Sequence, residues 1–135
     1  MNILETDQWC LLLPPEWIAE REDDIVQITD RDGVGELEIT TLCGDAGAIT
    51  IDELRSMALE ESPEVAQWET VRLGAFEGVS GEFVEDGAAI VEWYLAKEAV
   101  LLYITYLCDE EDAGMDLGAI TDMLSTLVLG DSPAP

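Results

Sequence analysis

"GAAIVEWYLAKEAVLLYITYLC", residues 87–108, holds two apolar runs separated only by Lys97-Glu98. Asp86-Gly87 precedes the first run, so each begins at a tight-turn signal, and the pair reads as two antiparallel strands of a meander. The second run, "AVLLYITYLC", is apolar at successive positions rather than alternate ones, which predicts a central strand covered on both sides. Working back toward residue 66, "VSGEFVED" and "QWETVRLGAFEG" add further strands, with Gly74, Gly78 and Gly81 marking bulges or close packing.

Upstream of this meander, Thr50 followed by Glu53 forms a capping box. Ile51, Leu54, Met57 and Ala58 then recur at helical spacing, and Pro63 lies just beyond, so a helix is expected over residues 51–61. "ELEITTLC" (36–43) alternates Leu37 and Ile39 against Glu36 and Glu38, a half-buried strand with a charged outer face. "DIVQIT" (24–29) reads as its hairpin partner, joined through "DRDGVG", where Asp32-Gly33 supplies the turn. "WCLLL" (9–13) is a short strand stopped by Pro14 and Pro15, and "WIAEREDD" (17–24) reads as a polar connector or helical turn. Downstream, "DEEDAG" is a turn, and "MDLGAITDMLSTLVL" carries Leu117, Ile120, Leu124, Leu127 and Val128 at helical spacing, predicting a helix over roughly 116–128. The order β–ββ–α–ββββ–α predicts an α+β fold, a single antiparallel-dominated sheet with helices packed on it. The 135 residues suit one domain over 1–130 with 131–135, "DSPAP", as a tail.

The charge balance narrows function. Lys and Arg number 5 against 31 Asp and Glu, a net charge of −26 with no histidine. Such a field repels nucleic acid and anionic membranes and favours basic partners or cations; acidity of this kind also keeps a protein soluble in a salty cytoplasm. Without histidine there is no His-based triad, His metal ligand or ordinary proton shuttle. No serine has the nucleophile-elbow context, and the glycine-rich "GVGELE" and "GDAGA" carry no Lys at phosphate-loop spacing. "CDEEDAGMD" groups Asp109, Glu110, Glu111, Asp112 and Asp116 but lacks calcium-loop spacing, so it reads as a solvated loop leading a helix. Cys10, Cys43 and Cys108 form no CxxC pair and read as reduced thiols. With no basic-apolar leader and no long apolar run, a cytoplasmic location is expected, and neither a cofactor nor a metal.

The strand ending in "LLLPPEW", the hairpin, the helix "TIDELRSMALEE", the meander and the closing amphipathic helix together resemble the PsbP-like fold, including its bacterial DcrB-like branch and the Eag chaperones of type VI secretion. Pro15-x-Trp17 after the first strand and the glycine-marked start of the meander carry the likeness. The resemblance implies a binding or accessory protein rather than an enzyme. The expected partner is another protein, basic or bearing apolar helices, with Trp17 and Trp93 as aromatic anchors and Glu110, Glu111 and Asp112 as an acidic rim. The alternative is an immunity protein that neutralises a basic toxin through charge.

Overall fold

A computed structural model describes residues 2–31, 33–43 and 47–130. Asp32 of the predicted turn and the 131–135 tail lie outside the described residues. The chain builds one large antiparallel sheet of seven strands in the order β3-β4-β5-β9-β8-β7-β6. Its strands are β3 (Trp17–Glu22), β4 (Ile25–Asp30), β5 (Gly35–Cys43), β6 (Glu69–Leu73), β7 (Phe76–Glu85), β8 (Ala88–Lys97) and β9 (Val100–Asp109). A second sheet of three strands, β1 (Asn2–Glu5), β2 (Trp9–Leu13) and β10 (Val128–Leu129), stands beside it with β2 in the middle. The helices are α1 (Ile51–Glu61) and α2 (Leu117–Leu124).

The meander forms where its turns predict it. Asp86 and Glu98, both at positive φ, lead the chain from β7 to β8 and from β8 to β9. The capping box at α1 is complete: the Thr50 hydroxyl accepts from the Glu53 N–H, and the Glu53 carboxylate accepts from the Thr50 N–H. Gly74 adopts a φ of +64° between β6 and β7, and a Cβ there would run into the Leu127 carbonyl. That carbonyl accepts from the Ala75 N–H at 2.8 Å, tying the β6–β7 turn to the chain leaving α2.

Four readings change. The expected single sheet is two, because β1 and β10 pair with β2 in a small sheet apart from the seven-stranded one. "WIAERE" is a strand, β3, rather than a connector; its charged residues are tolerated because it is a sheet edge with one solvated face. α2 stops at Leu124 rather than near 128. The Thr126 hydroxyl donates to the Met123 carbonyl at 2.6 Å and accepts from the Leu12 N–H at 2.8 Å, so the chain turns and Val128 pairs with Cys10 of β2. Finally, β9 is fully covered on one side only: Val100, Leu102, Ile104 and Tyr106 are buried, whereas Leu107 on the opposite side is 44% exposed.

The seven-stranded sheet therefore has two unlike faces. The inner face holds the larger core, in which Trp9, Leu11 and Leu13 of β2 and Ile120, Met123 and Leu124 of α2 pack on Ile28, Leu37, Ile39, Leu102 and Ile104. The outer face holds a smaller cluster, Leu54 and Ala58 of α1 with Val65, Trp68, Val79, Tyr94 and Leu101. α1 packs on β7 and β8, and among the described residues no helix or second sheet covers the outer side of β3, β4 and β5.

Candidate binding surfaces

On the inner face, the small sheet stands over the β3–β5 half, where the Trp9 indole donates to the Thr41 hydroxyl at 2.8 Å and Arg21 of β3 donates to the Glu5 carbonyl. Among the described residues the β6–β8 half is covered by α2 and the turn that follows it, and two adjoining pockets of about 330 and 400 Å³ remain along that helix. They share Glu82, Val91 and Leu117, so they form one groove. Its apolar walls include Val84, Ala89, Val71, Leu73 and Trp93; Glu69 and Glu82 contribute carboxylates, and no Lys or Arg lines either pocket.

The predicted site residues divide around this groove. Trp93 is a wall of the second pocket although it is only 4% exposed. Glu110, Glu111 and Asp112 form a single 3-10 turn, and Ala113 and Gly114 directly after it line the first pocket, which sets the acidic turn at one end of the groove. Trp17 does not join them. It is buried in the core on edge strand β3, four strands from β8, on the order of 19 Å at about 4.8 Å per strand. The acids from Asp109 to Asp116 do not converge: among the described residues no three His, Cys, Asp or Glu are placed to hold a metal ion. Cys108 is buried; burial, then the carboxylates of Asp112, Asp109 and Asp116, raise its thiol pKa, so it stays protonated at neutral pH. Among the described residues no helix is long and apolar enough to cross a membrane.

The outer face was not singled out by sequence reasoning. Strand register lays its residues in rows across β3, β4, β5 and β9: Ile18–Thr29–Glu36–Leu107, then Glu20–Gln27–Glu38–Thr105, then Glu22–Ile25–Thr40–Tyr103. Four glutamates and no Lys or Arg occupy these positions. Ile18 is 50% exposed and Ile25 37%. On the neighbouring strand β8, Thr105 faces Glu92, which is 6% exposed. One Glu92 oxygen, Oε2, accepts from the Tyr103 hydroxyl at 2.6 Å; the other, Oε1, is buried with no hydrogen-bond partner. Tyr94 packs on Tyr103 with ring centroids 4.9 Å apart, and its hydroxyl lies 3.2 Å from the Ser62 hydroxyl. Burial, then the hydrogen bond to Glu92, pushes the Tyr103 pKa well above 10; burial also raises that of Tyr94.

This geometry matches solved structures in its fold. The cyanobacterial PsbP (CyanoP) of Synechocystis sp. PCC 6803 superimposes with a TM-score of 0.65 at 14% identity, over 95% of this chain and 91% of that one. The fold is PsbP-like. A crystal structure from Bacteroides thetaiotaomicron VPI-5482 is similar at the same TM-score, 0.65, and 15% identity, over 90% of this chain; the match spans 44% of the Bacteroides protein. No family model and no curated protein sequence matches the chain. At these identities the likeness concerns the fold, and function has to be argued from the surfaces.

Proposed function

We propose that this chain is a non-catalytic protein-binding domain of the bacterial cytoplasm, accessory or chaperone-like, in keeping with its resemblance to the DcrB-like and Eag branch of the PsbP-like fold. The observation that carries the reading is the groove along α2, an apolar floor closed by Trp93 and Leu117 with carboxylates at its border. An apolar helix laid there would cover surface that α2 leaves bare. The test is a titration with an uncharged Leu/Ala-rich helical peptide, followed by amide NMR. Shifts concentrated on β7, β8 and α2, lost in the variant Val91→Asp, support the reading; shifts spread evenly over the chain, or none, overturn it.

A second reading, neutralisation of a basic toxin, is supported by the four glutamates on the open outer face and the absence of basic residues among them. Inhibition of a basic nuclease at stoichiometric ratio, lost in high salt, would favour it over the groove.

A further inference from the structure

We propose that the uncovered part of the outer face is a second docking surface, separate from the groove, and that its occupant is a cationic amphipathic helix of another protein lying beside α1 in the same layer. α1 already shows how this face receives a helix, since Leu54 and Ala58 bury against β7 and β8. The strands left clear, β5, β4 and β3, span about 10 Å from first to last at ~4.8 Å per step, with the Thr105–Leu107 end of β9 beside them, and a helix with its side chains is about 10–12 Å across. The vacancy is therefore one helix wide.

The chemistry of the surface selects the helix. Ile18, Ile25 and Leu107 give it exposed apolar ground, and exposed Leu42 adds to this near the α1 end. Glu20, Glu22, Glu36 and Glu38 stand among them with no base to offset them. Glu20 and Glu22 of β3 and Glu36 and Glu38 of β5 share this face two strands apart, about 10 Å at ~4.8 Å per step, so their fields add and a partner that brings Lys or Arg relieves that repulsion as well as forming contacts. Glu92 extends the acidic row inward, and its buried Oε1 has no donor among the described residues. A second copy of this chain is a poor occupant, since it would set the same glutamates against one another at a net charge of −26 per chain.

The experiment uses an amphipathic Leu/Lys helical peptide of about 18 residues, five turns, and its Leu/Glu counterpart. Binding is measured by fluorescence anisotropy at moderate salt and mapped by amide NMR. Three chains are compared: the unaltered protein, E36K/E38K, and E110K/E111K, which makes the same change in net charge at the acidic turn. The expected result is binding of the Lys peptide only, with shifts on β3, β4, β5 and β9. E36K/E38K should weaken it about tenfold or more, and E110K/E111K less than about twofold. Equal weakening by the two variants would mean attraction by net charge alone and would overturn the proposal. So would shifts confined to the groove, or no binding of the Lys peptide. Failure here beside a positive groove titration with the uncharged peptide would leave the proposed function standing.

Discussion

The two faces of the seven-stranded sheet solve the same problem differently. The inner face is closed by a small sheet and α2, and its central residues Ile28, Leu37, Ile39, Leu102 and Ile104 are all fully buried. The outer face has a single helix over half its width and keeps a tyrosine–carboxylate pair where the cover ends. Single strands contribute to both: on β9, Ile104 faces the dry side and Leu107 the wet one. Stability should therefore reside on the inner face, while the outer face and the groove margin are free to carry recognition.

The strongest way to break this contrast is to truncate the two β9 residues separately. Ile104→Ala should cost about 2–5 kcal/mol, because it leaves a cavity in a closed core. Leu107→Ala should stay within about 1 kcal/mol, since much of its side chain is already in water. Urea denaturation measures both, and equal losses would abolish the distinction between the faces.

Tyr103→Phe probes the border between covered and open sheet. It leaves Glu92, whose Oε1 is already unpartnered, with no donor on either oxygen, so a loss of about 1–3 kcal/mol is expected. The double variant Tyr103→Phe/Glu92→Leu should recover most of it. The pH dependence sharpens the test. Tyr103 and Tyr94 have folded pKa values raised above 10.0, so their contribution is fully present below pH 10 and is lost as pH rises beyond it. The urea midpoint should fall above pH 10, and less steeply in Tyr103→Phe; identical slopes would remove Tyr103 from the alkaline transition.

Thr50→Ala takes away one half of the α1 capping box and should cost about 1 kcal/mol. Hydrogen exchange should quicken in α1 while Leu102 and Ile104 keep their protection; uniform quickening would show that the two faces open together. The smallest effect is ionic. Among the described residues there is one salt bridge, the exposed Arg72–Glu77 pair at 3.2 Å, so most carboxylates lack a cationic neighbour. Added sodium chloride should raise the melting temperature by about 2–4 °C through screening of self-repulsion. A flat curve would mean that the charges are spread widely enough to be neutral for stability.

Local chemistry explains which parts of this were legible in the sequence. The meander and α1 were readable because each is announced within a few residues, by Asp86-Gly87, by Lys97-Glu98 and by Thr50 with Glu53. β3 was not, because Ile18, Ala19, Glu20 and Arg21 show no clean alternation and gain their structure from pairing with β4. The end of α2 was missed because Leu127 and Val128 continue the helical spacing, while what stops the helix is Thr126 reaching β2. Trp93, Trp17 and the acidic turn could be named only as types of residue; both tryptophans lie in the same core, and the sheet order sets them four strands apart. Of the outer face, the sequence showed the Glu36 and Glu38 side of β5 but not the surface it belongs to, since its rows exist only once four strands are in register.

The strand pairing of Cys10 with Val128 joins positions 118 apart in the chain. Each step of the β6–β9 meander closes a short hairpin, whereas this contact must wait for almost the whole polypeptide. The small sheet should then be the last element to assemble and the first to open. Trp9 would report it: its indole is wholly buried and bonded to Thr41 only when β2 is seated, so a late change in its fluorescence during refolding should lag behind the formation of the large sheet. Until that moment the inner core stands open on one side, and a ribosome-bound chain lacking β10 would present Trp9's vacant seat to whatever apolar segment is near.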